Sequence, residues 1–103
     1  MSRSRAWFQQ KAGRRDANHA AIRDGLRKLG HFVVDTAAVG DGVPDLLVYP
    51  RGYSSRMQPM WLELKTEKGK LREAQLRWGI AAVSRGAARA IVRTLDEAIE
   101  ALR

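Results

Sequence analysis

Cysteine is absent from the 103 residues, which removes disulfides, thiol nucleophiles and sulfur-ligated metal sites from consideration. No apolar run approaches the roughly 18 residues of a membrane helix, and the basic N-terminus is not followed by the apolar stretch of a secretory leader. The expectation is a cytoplasmic protein with no membrane partner. Histidine occurs only at His19 and His31, separated by the break at Gly30, so a histidine-dependent reaction has little support and both rings are expected at the surface or the edge of the core. Acids are scarce too, with 11 Asp and Glu against 19 Lys and Arg, for a net charge of +8. The first 15 residues hold no acid at all but carry Arg3, Arg5, Lys11, Arg14 and Arg15. A charge distributed this way suits a polyanion, and nucleic acid is the commonest one inside cells. A chain this short makes one domain, expected over 16–103 behind a basic arm over 1–15.

What the chain does have is a stretch, Gly42–Lys65, in which charged residues are set into short apolar runs. Gly42-Val43-Pro44-Asp45-Leu46-Leu47-Val48-Tyr49 is followed, after a turn-rich gap, by Met60-Trp61-Leu62-Glu63-Leu64-Lys65. A strand period of two puts Trp61, Glu63 and Lys65 on one face and Met60, Leu62 and Leu64 on the other, while Asp45, Leu47 and Tyr49 share a face in the first run. With a hairpin over Pro50–Pro59 making the two strands neighbours, Asp45 and Glu63 converge on one spot and Lys65 lies one strand step beyond. Two carboxylates brought that close repel each other and lose hydration, a cost that a cation between them offsets. An oxygen-only pair with room for water suits a hard ion such as Mg2+ or Mn2+. Lys65 then lies within reach of a water or phosphate at that ion.

These runs, with Gly69-Lys70-Leu71 and Gln75 following the second, resemble the PD-(D/E)xK nuclease superfamily and in particular its VRR-Nuc branch, over roughly residues 16–98. The resemblance implies a metal-dependent endonuclease hydrolysing DNA phosphodiester bonds, selective for branched, junction or flap DNA. It implies Asp45, Glu63 and the backbone carbonyl of Leu64 as holders of Mg2+, with Mn2+ as substitute. Lys65 would orient the attacking water, assist its deprotonation or stabilise charge on the phosphate, and Gln75 would stand at the edge of the site. The family normally supplies a glutamate from its first helix, where this chain has Asn18. An amide oxygen can ligate a hard ion but contributes no charge; alternatively Asn18 caps the first turn or bonds a neighbouring loop, and Asp16 is a second candidate lying off the apolar stripe. That departure motivates the alternative of a catalytically silent DNA-binding or complex-organising module. A homodimer, whose two-fold axis would set two sites on two strands of a branched substrate, is the expected assembly.

Around this stretch the patterning predicts a small α/β domain, a mixed sheet flanked by helices in the order α-β-β-β-α-β-α. The first helix is expected over 16–29, capped by Asp16 and ended by Gly30, with Ile22, Leu26 and Leu29 as its apolar stripe. His31–Thr36 reads as the first strand. Gly40 and Gly42 allow a tight loop before the site, and Pro44 belongs at the beginning of a strand rather than its centre. Arg51 and Arg56 lie in the hairpin turn. Lys68 and Lys70 follow Lys65 on a turn beside the site, where phosphate contact is the expected role for them as for Lys11, Arg14 and Arg15 of the arm. The second helix is expected over Arg72–Ser84 with two apolar lines, Leu76-Ile80-Val83 and Leu71-Gln75-Trp78-Ala82, so that most of its surface is covered. Ala90–Val92 then makes a short strand, and Thr94 with Glu97 caps a last helix over Leu95–Leu102.

Overall fold

The computed structural model describes residues 17–66 and 68–103. The basic arm with Lys11, Arg14 and Arg15 lies outside the described residues, as do Asp16 and Glu67. Helix α1 spans 17–28 and ends in a Schellman turn: Gly30 takes φ +94°, its N–H donates to Arg27 O, and the His31 N–H donates to Leu26 O. Glycine adopts that left-handed conformation without the penalty a Cβ brings. Strands β1 (Phe32–Asp35), β2 (Leu46–Tyr49) and β3 (Met60–Leu64) follow, then α2 (Glu73–Val83), β4 (Ala88–Val92) and α3 (Leu95–Ala101). The sheet order is β1-β2-β3-β4, antiparallel between the first two pairs and parallel between β3 and β4. The parallel pair requires the crossover that α2 supplies. This is the mixed, helix-flanked α/β architecture that the patterning predicts, consistent with a restriction-endonuclease-like core.

Alternation along the strands sends Val33, Leu46, Val48, Leu62, Leu64 and Val92 into one core with Ile22, Leu26 and Ala98. Burying each large aliphatic there contributes about 1.5–3 kcal/mol. The other face of the sheet carries Trp61 and Glu63 and receives α2, where Trp78 meets Trp61 edge-on with ring centroids 5.3 Å apart.

Two expectations need correction. Leu29 does not extend the α1 stripe into the core: it is 44% exposed, because the Schellman turn ends the helix before it can pack. Nor is α2 largely covered. Its Leu76, Ile80 and Val83 are 49%, 73% and 43% exposed, since the helix lies on one sheet face and can bury only one of its two apolar lines. The cap of α3 also differs in detail. Thr94 Oγ1 accepts the Glu97 N–H at 3.0 Å, but the Glu97 carboxylate takes the N–H of Arg93, at 2.6 Å, one residue earlier than a reciprocal capping box requires.

Candidate active site

Asp45 immediately precedes β2 and Lys65 immediately follows β3, so the charged residues gather where the antiparallel pair ends. Their geometry follows from backbone pairing. Leu46 is registered with Leu62, the Asp45 N–H donates to Leu62 O at 3.1 Å, and Asp45 Oδ2 accepts the Leu64 N–H at 2.8 Å. Pro44 stands outside the strand, as its missing donor requires, and its carbonyl accepts the Thr36 hydroxyl at 2.7 Å.

Asp45, Glu63 and Lys65 are 8%, 1% and 9% exposed. Groups so buried need partners: the Leu64 N–H serves Asp45, and Gln75 in the first turn of α2 serves Glu63 and Lys65. Its Oε1 accepts from Lys65 Nζ at 2.7 Å and from the Arg72 N–H at 2.8 Å, while its Nε2 donates to Glu63 Oε2 at 3.1 Å. Only one orientation of the amide satisfies two donors and one carboxylate. Lys65 Nζ is 3.9 Å from Glu63 Oε2. Burial, a hydrogen bond to Asp45 and repulsion from its charge push the Glu63 carboxyl up to about 8, against the opposing pull of Lys65 and Arg89.

A cavity of about 180 Å³ opens in front of this cluster, lined by Asn18 and His19 from α1, Asp45, Leu64, Lys65, and the turn and helix entry at Thr66, Gly69, Lys70 and Arg72. Asn18 and Lys70 therefore face the same space as Asp45 and Lys65, whereas Lys68 is exposed and outside the lining. Glu63 lies behind it, held by Gln75. His19 forms part of the wall, with Nε2 2.9 Å from Asp35 Oδ2. Asp35 is held below the usual carboxylate range despite partial burial, because His19, the Ala37 N–H and Arg23 all hydrogen-bond to it.

Gly42 does more than allow a tight loop. At φ +81°, a Cβ there would sit on the backbone carbonyl of Ala74, so the missing side chain lets α2 close on the loop and delivers Gln75 to Glu63 and Lys65. Two site residues are not singled out by the sequence pattern: Arg72, on the cavity wall, and Arg89. Arg89 rises from β4 beneath α2, donates to Gln75 O at 3.4 Å, and occupies the space a side chain at Gly79 would take. Its signal was the same one that marks Asp45 and Glu63, a charge inside a short apolar strand.

Among the described residues, no three His, Cys, Asp or Glu side chains form a group that could hold a metal ion. The oxygen donors present are the carboxylates of Asp45 and Glu63, the Leu64 main chain and the Asn18 amide. That set fits Mg2+, which binds through one or two carboxylates and keeps several waters. The mutual repulsion that raises Glu63 is what a cation between the two carboxylates would relieve.

The fold is related to that of the PD-(D/E)xK nucleases. More narrowly, a solved structure described as a VRR_NUC domain matches it with a TM-score of 0.64 and 25% identity, covering 82% of this chain and 89% of that one. No family model and no curated protein matches the sequence.

Proposed function

We propose that the protein is a metal-dependent endonuclease that hydrolyses DNA phosphodiester bonds, with selectivity for branched, junction or flap DNA. The observation that carries this reading is the continuous network Glu63–Gln75–Lys65 set behind a cavity that Asp45 enters. It keeps an ammonium group and a carboxylate pair buried beside a space edged by Lys70 and Arg72. Asp45, Glu63 and Leu64, with Asn18, would hold Mg2+ or Mn2+. Such an ion, when bound, supplies Lewis-acid polarisation of the scissile phosphate and offsets negative charge in the transition state. Lys65, fixed by Gln75, orients the attacking water or the phosphate. Lys70 and Arg72 bind backbone phosphate at the rim, a contact that positions DNA without reading bases. Selectivity then comes from DNA shape.

A catalytically silent DNA-binding module is the second reading, and Asn18 favours it by withholding a charge from the cavity. Cleavage of labelled linear, flap, splayed and four-way-junction DNA with Mg2+, Mn2+ or EDTA separates the two. The enzyme gives metal-dependent products that Lys65→Ala reduces by about a hundredfold or more. Intact substrates that are nonetheless bound, with cutting gained only in Asn18→Glu, identify the silent module.

A further inference from the structure

The sheet face that carries Glu63 continues away from the site as a surface that the helices leave uncovered. Phe32 on β1, Leu47 and Tyr49 on β2 and Trp61 on β3 alternate with core residues, so they share the face opposite the core. Trp78 of α2 meets Trp61 on that face, but Phe32, on the edge strand β1, stands 65% exposed. It lies directly across from Tyr49, with ring centroids 5.7 Å apart. Tyr49 in turn meets Tyr53 of the hairpin edge-on at 4.9 Å, and the Tyr53 hydroxyl donates to Met57 O at 3.0 Å, which holds that ring in place.

A single exposed apolar side chain needs no explanation, but three aromatic rings in contact at a surface do. Their surroundings name the occupant. The hairpin that carries Tyr53 supplies two cations, Arg51 and Arg56, and the stretch from Leu46 to Leu62 holds no Asp or Glu. Arg51 runs its stem along Gly30 at the end of α1, next to His31, whose Nδ1 accepts the Arg51 N–H at 2.8 Å. Aromatic rings beside arginines suit bases stacked on the rings and a phosphate backbone on the guanidinium groups. Asp45 and Tyr49 are four strand residues apart, about 13 Å, or roughly four nucleotides at the 3.4 Å rise of a duplex strand.

We propose that Phe32, Tyr49 and Tyr53 form a stacking platform for the unpaired bases of a nucleic-acid strand whose backbone enters the cavity at Asp45. This rests on the nuclease reading above and adds to it the single-stranded arm as the feature recognised. The platform explains how a site that contacts mainly phosphate can distinguish a splayed end or flap from a continuous duplex, because only unpaired bases offer both faces to a ring.

The test is binding, measured by fluorescence anisotropy in EDTA, of three labelled DNAs: a blunt duplex, the same duplex with splayed single-stranded arms, and the splayed form with abasic arms. The proteins compared are the wild-type chain, Phe32→Leu, which keeps an apolar side chain without the ring, and Phe32→Trp, which keeps a ring; thermal melts establish that each is folded. Phe32→Leu should weaken binding of the splayed DNA about tenfold while leaving the blunt duplex unchanged. Phe32→Trp should bind as the wild type does, and abasic arms should erase the difference between wild type and Phe32→Leu. Equal affinity of wild type and Phe32→Leu for splayed DNA, alongside intact metal-dependent cleavage, overturns the platform alone. A change in sedimentation without a change in DNA affinity overturns it in favour of a second copy on the patch. Failure of the wild type to bind any of the three DNAs overturns the platform, and it overturns the nuclease reading as well only where metal-dependent cleavage is also absent.

Discussion

Gln75 joins the site's ammonium to its buried acid. Its amide connects Lys65 Nζ and the Glu63 carboxyl, both residues less than a tenth exposed, and a glutamate in its place would add a negative charge beside Asp45 and the Glu63 carboxyl. Even with Gln75 in place, the buried pair costs the fold something at high pH. Glu63 ionises near its ordinary value of 4.5 in the unfolded chain but only at about 8 in the folded one. Below 4.5 both states hold the proton, and this carboxyl has no effect on stability relative to that baseline. Between those values unfolding releases a proton, so stability falls as pH rises, and above about 8 both states are ionised and the loss levels off. Thermal denaturation in EDTA from pH 5 to pH 9 should therefore show the wild type losing stability relative to Glu63→Gln across the interval up to about 8. Parallel curves for the two proteins would mean that burial and the neighbouring Asp45 do not raise the Glu63 carboxyl in the folded state.

At the scale of the element, the position of α2 decides whether a site exists, and two glycines set that position. Gly79 clears the Arg89 guanidinium, and Gly42 clears the Ala74 carbonyl. Gly40 and Gly42 share φ +81°, but a Cβ at Gly40 meets nothing within 4 Å. Gly40→Ala should thus cost only backbone strain, about 1–2 kcal/mol, whereas Gly42→Ala adds a collision with main chain that cannot yield without moving α2. The larger loss of Tm at Gly42, with loss of metal-dependent cleavage, is the expected result; equal shifts for the two variants would contradict the packing role. The same helix shows what the sequence could tell. Asp45, Glu63 and Lys65 were legible because a charge in an apolar strand violates the period that surrounds it. The cap at Thr94 and the stop at Gly30 were legible because each is a local hydrogen-bond pattern. Which line of α2 is covered was not legible, since Leu76-Ile80-Val83 and Leu71-Gln75-Trp78-Ala82 both satisfy the helical period, and only the sheet face beneath chooses between them. The role of Gly42 was hidden for a similar reason: a turn glycine and a close-approach glycine look alike until the partner backbone, over thirty positions away in the chain, is in place.

For the whole molecule, that choice leaves Leu76, Ile80 and Val83 as an apolar ridge on the outside of the helix that delivers Gln75. The helix is only about 16 Å long, so the ridge alone falls short of the roughly 800 Å² per partner typical of a stable complex. A second copy meeting it across a two-fold axis would bury Ile80 against its own equivalent at the centre and give a reversible dimer whose population follows concentration. Such a dimer would hold two candidate sites in fixed relation, one for each of two strands of a branched substrate. Ile80→Asp, placing a charge where two copies would meet, should shift sedimentation to the monomer, and its Tm should equal that of the wild type at concentrations too low for the dimer, because the side chain is already 73% exposed in the single chain. The same variant should cut a four-way junction in separate nicks rather than paired incisions, while its rate on a single flap stays that of the wild type. Paired incisions by a chain that sediments as a monomer at every concentration would show that one copy visits both strands, and the ridge would then have no part in the choice of substrate.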